Sequence, residues 1–230
     1  MKRLIIGKNC IREVLKAAPE RIESLLLAKD DPEFSKAGIP VKILRKDQLS
    51  DLAGTESHQG VGAYVKDRSR PDLKSFLKKE RDASLVLMLD SIFDPQNFGA
   101  ILRAAECFGA DAVVWSKNRG VDITPVVTKA SVGASELIDL IKVSNLAEAV
   151  KQFQKHGYGA VTAEIGDEAE NLFEFVFPPL TLLIMGSEGK GVQPLISKRA
   201  DHKVYIPMAG QIDSLNVSQA TSVFLSHWKS

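Results

Sequence analysis

Residues 83–230 alternate short apolar runs with amphipathic segments, and this alternation constrains the fold more than any other feature of the sequence. Residues 85–89 and 112–115 are continuously apolar, and a helical pattern over residues 98–108 lies between them. Strands that are apolar on both faces are typical of a parallel sheet covered by helices. The sequence therefore predicts an α/β fold with a doubly wound parallel sheet.

The same signals divide the chain into parts. Further elements of the larger domain are predicted at 146–155 (helix), 158–163, 181–185 and 204–206 (strands), and from about residue 216 (helix). The front of the chain predicts a helix that is capped by Asn9 and ends at about residue 17, and strands at 24–28, 41–44 and 60–65. We therefore predict a small α/β module over residues 1–66, a polar, proline-containing linker over 67–82, and the larger domain over 83–230.

Composition restricts the class of protein. The 230 residues are 44% hydrophobic and 26% charged, which is typical of a globular chain with a sizeable core. Cys10 and Cys107 cannot form a disulfide framework or a zinc site, so we expect a cytoplasmic protein without a bound metal. No stretch approaches the ~18 apolar residues of a membrane span, and the apolar run at the start of the chain is too short for a signal sequence.

The charges are distributed unevenly although the net charge is only +1. Residues 1–80 carry 17 Lys and Arg against 12 Asp and Glu, whereas residues 81–230 carry 13 against 17. This excess fits either a front module that meets phosphate groups or ordinary solvated surface.

Three polar loops follow apolar strands, and ligands of parallel sheets bind at such loops. Residues 90–99 open a helix with Asn97 as a plausible cap, and Arg103 follows in its second turn. Residues 186–191 form a glycine-rich turn whose glycines would let a ligand approach the backbone. Residues 206–216 connect a strand to the last helix.

Each loop also has a simpler interpretation. Arg103 could be a surface residue, the glycine-rich turn an ordinary tight turn, and Ser214 or Asn216 a helix cap. The glycine spacing matches neither of the common phosphate-binding loops, which disfavours a nucleotide-dependent α/β enzyme.

Taken together and in this order, the three loops resemble the motifs of the SpoU branch of the knotted (SPOUT) RNA methyltransferases. The matching residues are Asn97 with Arg103, Gly-Ser-Glu-Gly at 186–189, and Ile-Pro-Met through Ser-Leu-Asn-Val-Ser at 206–218. Through Gly-Lys-Asn at 7–9 and His-Gln-Gly-Val at 58–61, the front of the chain is similar to the ribosomal-protein-like RNA-binding domain of family members that modify 23S rRNA and tRNA. The resemblance implies methyl transfer from S-adenosylmethionine to a ribose 2′-hydroxyl.

The resemblance also implies a structure for the cofactor site. The C-terminal residues would form a trefoil knot, which general topology rules disfavour. S-adenosylmethionine would be held in the knot, largely by backbone groups, and the chain would form a homodimer in which one subunit's arginine reaches the other's cofactor. The residues implied to hold the cofactor are Ala163, Gly186, Ile206, Met208, Ser214 and Leu215.

The family's arginine has been proposed as the base, but guanidinium groups remain protonated in proteins. We therefore expect Arg103 to bind the phosphate beside the target ribose and to stabilise charge on the 2′-oxygen, while the phosphate or a water accepts the proton. Asn97 and Asn216 would orient the ribose, and Glu188 would hold Arg103 or Asn97.

The RNA itself is less strongly specified. Candidate RNA contacts of the front module are Arg12, Arg45, Lys46, His58 and Gln59. The resemblance along both domains favours a guanosine of 23S rRNA as the target, with a tRNA guanosine second and an rRNA adenosine third. The alternative from another class is a non-catalytic RNA-binding or ribosome-assembly factor that uses the knot for dimerisation.

Overall fold

A computed structural model of the protein describes residues 2–166 and 168–229. The strands are β1 (Lys2–Ile6), β2 (Ile22–Leu27), β3 (Val41–Ile43), β4 (Val61–Lys66), β5 (Ser84–Leu89), β6 (Ala112–Ser116), β7 (Asp139–Val143), β8 (Gly159–Ala163), β9 (Glu170–Asn171), β10 (Leu180–Met185) and β11 (His202–Tyr205). The helices are α1 (Lys8–Ala17), α2 (Pro32–Ser35), α3 (Lys46–Ala53), α4 (Leu73–Leu77), α5 (Pro95–Cys107), α6 (Pro125–Ala130), α7 (Leu146–Lys155), α8 (Pro194–Ser197) and α9 (Val217–Lys229).

The chain forms two compact units. The first contains the chain through Ser69 together with Asp122–Leu137, and the second contains Arg70–Val121 and the chain from Ile138 onward. Residues 122–137 lie within the region that the sequence predicts as the larger domain, so the first unit includes a segment that the sequence pattern does not reveal.

The first unit has a four-stranded mixed sheet in the order β1-β4-β2-β3. Strand β4 is antiparallel to β1 and β2, and β3 is parallel to β2. Buried apolar side chains of β1, β2, β4, α1 and α2 form its core. The predicted helix is confirmed, but it begins at Lys8, so that Gly7, with φ of 92°, and not Asn9 occupies the cap position.

A buried carboxylate attaches the segment 122–137 to this sheet. The side chain of Glu136 is fully buried, and its two oxygens accept hydrogen bonds from Arg3 and Arg21, each at 2.7 Å. Removing one member of a buried ion pair typically costs roughly 3–5 kcal/mol, because the remaining charge is left without a partner. The two arginines therefore give this segment a specific position on the front sheet.

The second unit has a seven-stranded sheet in the order β7-β6-β5-β10-β8-β11-β9, and every neighbouring pair is parallel. The predicted strands at 85–89, 112–115 and 181–185 and the predicted helix at 146–155 are confirmed within one residue. One face of β5 and β6 packs against α4, α7 and α8. On the other face, Trp115 of β6 contacts Phe98 of α5 with ring centroids 5.7 Å apart, and α9 packs on α5. Helices therefore cover both faces, as predicted.

Helix α4 lies inside residues 67–82, where the sequence predicts a linker. Asp72 caps it by accepting a hydrogen bond from the Ser75 backbone N–H at 2.7 Å, which lowers the pKa of the Asp72 carboxyl. Phe76 is fully buried and Leu77 is nearly so. Most charged residues of this stretch are exposed, while Phe76 and Leu77 pack into the core beside the sheet. In the part of the chain that is described, no helix is long and apolar enough to cross a membrane.

Candidate active site

A cavity of about 640 Å³ lies where β8, β10 and β11 end. Its volume is within the range typical of small-molecule sites, roughly 300–1,000 Å³. It is lined by all six residues that the family resemblance implies for the cofactor: Ala163, Gly186, Ile206, Met208, Ser214 and Leu215. Three acidic residues, Glu164, Glu188 and Asp213, also line it.

The glycine-rich loop after β10 forms one wall of this cavity. Ser187 and Gly191 exchange two backbone hydrogen bonds, of 3.1 and 2.8 Å, which close the loop into a tight turn. Gly189 and Gly191 have φ of 76° and 63°, a conformation that favours glycine. The tight-turn interpretation of the sequence is therefore correct, and the turn also lines the cavity.

Helix α5 begins differently from the sequence prediction, which names Asn97 as its cap. Asp94 is the cap residue, and its carboxylate accepts from the backbone N–H groups of Gln96 and Asn97 at 3.1 and 3.3 Å. Pro95 occupies the first turn, where its missing N–H has no cost. Asn97 is thus inside the helix, and its side chain is available for other contacts.

Asn97, Glu188 and Asn216 form one hydrogen-bonded cluster, although they are distant in sequence. Oε1 of Glu188 accepts from Asn97 Nδ2 at 3.2 Å, from Asn216 Nδ2 at 2.6 Å and from the Val217 backbone N–H at 3.4 Å. Asn216 Nδ2 also donates to Asn97 Oδ1 at 3.1 Å. The carboxylate lies at the N-terminus of α9, where the helix dipole favours negative charge. Among the described residues, Glu188 Oε2 receives no hydrogen bond, so that oxygen can accept one from a ligand.

Asn216 combines this contact with a capping role. Its Oδ1 accepts from the backbone N–H of Ser218 at 2.9 Å and from the Ser218 hydroxyl at 2.6 Å, at the start of α9. The cap therefore fixes the side chain, so that its amide nitrogen points to Glu188. The two sequence interpretations of Asn216, as cap and as site residue, describe the same geometry.

Arg103 is not part of this cluster. It is exposed, and it makes no hydrogen bond or ion pair with any residue that the structure describes. It follows Asn97 by six positions on α5, which turns its side chain by about 240° around the helix axis. Glu188 consequently holds Asn97 and not Arg103, whose side chain leaves α5 on a different side from that of Asn97.

A second, smaller cavity of about 190 Å³ adjoins the first. The two share Ser187, Glu188 and Val217, and the smaller one is also lined by residues 91–94 and Asn97. The Asn97–Glu188–Asn216 cluster therefore lies at the junction of a large and a small cavity. Such a junction can orient one ligand with respect to another.

Sequence reasoning missed one residue that supports the site. Asp90 is fully buried directly after β5, and its Oδ2 accepts from the backbone N–H of Gln193 at 2.8 Å. This bond ties the β5 loop to the segment that follows the glycine-rich turn. The available signal was a charged residue immediately after an apolar strand.

The candidate RNA contacts of the first unit differ in how available they are. Arg12 forms a two-pronged ion pair with Glu33, which lowers the pKa of the Glu33 carboxyl. Arg45 is largely exposed and pairs with Asp47 at 2.9 Å. Lys46 is exposed at the start of α3.

His58 occupies a different environment from the one expected for an RNA contact. Its ring is fully buried. Nδ1 accepts from the Gly60 backbone N–H at 3.0 Å, so Nε2 carries the hydrogen and donates to Ser50 Oγ at 3.0 Å. Burial, followed by the charge of Lys46, lowers the pKa of His58. Gln59 is exposed, but its Oε1 accepts from the Lys8 backbone N–H at 3.0 Å at the start of α1. Both side chains thus organise the loop before β4.

Comparison with known proteins assigns both parts of the chain. Residues 84–226 match the SpoU rRNA Methylase family, and residues 4–71 match the RNA 2′-O ribose methyltransferase substrate binding family. The 23S rRNA (guanosine-2′-O-)-methyltransferase RlmB of Coxiella burnetii is 38% identical, over 96% of this chain and 92% of its own length.

Solved structures give the same result. A crystal structure of an RNA 2′-O ribose methyltransferase is 26% identical, with a TM-score of 0.80, and the match covers 99% of this chain and 87% of that one. The SpoU methyltransferase AviRb from Streptomyces viridochromogenes, in complex with the cofactor AdoMet, has the same fold at 21% identity, with a TM-score of 0.80 over 99% of this chain and 89% of its own. This protein belongs to the SpoU rRNA methylase family.

Proposed function

We propose that this protein transfers a methyl group from S-adenosylmethionine to the ribose 2′-hydroxyl of a guanosine in 23S rRNA. The Asn97–Glu188–Asn216 cluster, at the junction of two cavities, is the observation that carries the proposal. The name and near-complete coverage of the Coxiella burnetii relative support 23S rRNA as the substrate. A cytoplasmic location follows from that substrate.

The larger cavity fits the cofactor. Apolar residues such as Met208 and Leu215 line it beside backbone groups of the glycine-rich turn, which suits an adenine ring and its ribose. Gly186, Ser214 and Leu215 would hold the cofactor through their backbone. When bound, S-adenosylmethionine would supply an electrophilic methyl group, with S-adenosylhomocysteine as the leaving group when the sulfur–methyl bond breaks.

The chain's own residues then position the acceptor. Glu188 Oε2 would accept a hydrogen bond from a ribose hydroxyl, and Asn97 and Asn216 would keep Glu188 in place. Arg103 would bind the phosphate beside the ribose and stabilise negative charge on the 2′-oxygen as the bond to the methyl carbon forms. The proton leaves for that phosphate or for a water.

This role for Arg103 fits a homodimer. Arg103 leaves α5 on another side than Asn97, so we propose that it completes the site of a second copy of the chain. We also propose that the C-terminal segment is threaded as a trefoil knot. The position of β10 between β5 and β8, and the packing of α9 on α5, support that threading.

The front unit is proposed to bind the RNA, with Lys46 and Arg45 as its contacts. Lys46→Glu should weaken binding to unmodified 23S rRNA several-fold, because one phosphate contact is lost. The slope of log affinity against log salt concentration should become shallower by about one. Helix N-termini tolerate acidic residues, so folding should be retained. The matched control is Lys66→Glu, since Lys66 is likewise exposed and lies opposite Lys2 on β1, where an acidic residue is tolerated. Equal effects of the two variants on RNA affinity would contradict the contact at Lys46.

Asn216→Ser separates the capping role of Asn216 from its role in the site. Serine caps helices about as well as asparagine, so the free energy of unfolding should stay within about 0.5 kcal/mol of wild type. The hydrogen bond that the Asn216 amide donates to Glu188 is lost, so single-turnover methylation should fall about 100-fold. Asn216→Ala should lower both quantities. Denaturant unfolding and rapid-quench methylation measure the two effects, and wild-type methylation by Asn216→Ser would remove Asn216 from the site.

The proposed function is tested by methyl transfer to RNA. The purified protein is incubated with labelled S-adenosylmethionine and either unmodified 23S rRNA or total tRNA, and 2′-O-methyl positions are mapped by sequencing, in vitro and after deletion of the gene. Labelled 23S rRNA with one guanosine modified is the expected result. Label in tRNA alone would move the substrate to tRNA, and label in neither RNA would favour a non-catalytic factor.

A further inference from the structure

Phe93 is an exposed aromatic residue in a loop whose other apolar residue is buried. Its side chain is 64% exposed, whereas the neighbouring Ile92 is 4% exposed. Single exposed apolar residues are common on protein surfaces. Phe93 differs because, among the residues that the structure describes, it is the one aromatic residue lining the smaller cavity.

The loop around Phe93 is fixed on both sides. The Ile92 carbonyl accepts from the Val121 backbone N–H at 3.1 Å, and Asp94 caps α5. Ser91 has φ of 63°, a conformation that costs energy for any residue except glycine. Its hydroxyl donates to Asp90 Oδ1 at 3.0 Å. The backbone therefore turns sharply at Ser91 and then presents Phe93 at the cavity.

The position of the cavity indicates what Phe93 meets. A ribose at the junction would lie against Glu188 and Asn97, with its 2′-oxygen towards the larger cavity. Its base would then extend into the smaller cavity. At about 190 Å³, this cavity is too small for a cofactor-sized ligand and suits a single ring system. Bases that leave an RNA stack are commonly bound on aromatic side chains.

We propose that Phe93 is the platform on which the base of the target nucleotide stacks while its ribose is methylated. This inference rests on the proposed function. Phe93 is a positioning residue: it holds the base, and the base holds the 2′-oxygen in line. Any base has an aromatic face, so the platform supplies binding and orientation without selecting guanosine.

The test compares Phe93→Ala, Phe93→Leu and Phe93→Tyr in single-turnover methylation of unmodified 23S rRNA. Loss of one stacking contact should lower RNA affinity and the methylation rate at subsaturating RNA by about 10-fold in Phe93→Ala. Phe93→Leu should be nearly as impaired, because leucine has no ring for stacking, although it keeps apolar area. Phe93→Tyr should retain most activity, and S-adenosylmethionine affinity should be unchanged throughout. Leu195→Ala is the control, because Leu195 is similarly exposed, on α8, and outside both cavities.

A second measurement isolates stacking from general effects. Binding is measured to a synthetic hairpin that contains the mapped methylation site, with either guanosine or an abasic ribonucleotide at that position. Wild type should bind the guanosine hairpin about 10-fold more tightly, whereas Phe93→Ala should bind both equally. A preference for guanosine that persists in Phe93→Ala overturns the inference. Absence of methylation by wild type would instead refute the proposed function, so the two failures are distinct.

Discussion

Replacing Arg103 by alanine is expected to lower single-turnover methylation at saturating RNA by about 1,000-fold, while S-adenosylmethionine binds with unchanged affinity. Arg103 is exposed and does not line the larger cavity of its own chain. The cofactor cavity is formed without Arg103, and its proposed contacts in the second copy are with the RNA, so its removal leaves cofactor binding intact. The lost interaction is the one with charge that develops on the 2′-oxygen and with the adjacent phosphate.

Arg103→Lys should restore little of this activity. Lysine keeps the positive charge but lacks the planar fork that binds two oxygens of a phosphate group. Activity of Arg103→Lys close to wild type would mean that charge alone is required. Activity of Arg103→Ala close to wild type would exclude Arg103 from catalysis.

Mixing two inactive variants tests whether Arg103 acts in a second subunit. Arg103→Ala and Asn216→Ala are each expected to be nearly inactive alone. If Arg103 acts across the dimer, a mixed dimer contains one site with both residues, so random exchange in a twofold dimer should recover about a quarter of wild-type activity. If Arg103 acts within its own chain, every site lacks one of the two residues and mixing recovers nothing. Refolding the variants together and measuring initial rates distinguishes these outcomes.

The sequence predicted most of the sheet of the second unit because its strands are apolar on both faces. Strands β5 and β6 are buried along their whole length and β10 is buried except at Leu180, so their pattern is independent of tertiary detail. Strand β7 was missed because charged residues, Asp139 and Lys142, interrupt its apolar pattern. Strand β1 was missed because it begins with basic residues and buries only Ile5 and Ile6 fully.

Other features depend on contacts between residues that are far apart in sequence. Glu136 joins the first unit because it meets Arg3 and Arg21, more than 100 positions away, and no local pattern signals such a pairing. His58 is another example: a loop histidine suggests an exposed contact, but Ser50 and Gly60 satisfy both ring nitrogens in the interior.

The candidate site also combines features that the sequence predicts with features that depend on distant contacts. Its residues could be named from the family motifs, but their mutual arrangement could not. The sequence predicts Asn97 as the cap of α5, but Asp94, which is followed by Pro95, caps the helix three residues earlier. Only then is the Asn97 amide free to meet Glu188, which lies 91 positions away.

Gly186→Ala is expected to lower S-adenosylmethionine affinity by about 100-fold or more, because it displaces the turn that lines the cavity. A Cβ atom at Gly186 would lie 2.1 Å from the carbonyl carbon of Gly191 and 2.3 Å from its oxygen. These are backbone atoms of the same closed turn, so no side chain can rotate to make room. The turn has to open, and the hydrogen bonds between Ser187 and Gly191 are lost with it.

Two other glycine variants separate this overlap from other effects of adding a methyl group. Gly210→Ala is the matched control, since a Cβ there meets nothing within 4 Å, and cofactor affinity should stay at the wild-type value. Gly189→Ala also meets nothing within 4 Å, but Gly189 has φ of +76°. It should therefore lose about 1 kcal/mol of stability through backbone strain, with a smaller loss of affinity than Gly186→Ala.

Isothermal titration with S-adenosylmethionine and denaturant unfolding provide both quantities for all three variants. The overlap at Gly186 should also cost about 1–3 kcal/mol of unfolding free energy, which is typical of overpacking and leaves a protein that can be titrated. Wild-type affinity in a folded Gly186→Ala protein would show that the turn does not contribute to the cofactor site. An equal loss of affinity in Gly210→Ala would mean that the loops around the cavity tolerate no added methyl group, and that the close approach of Gly186 to Gly191 has no special importance.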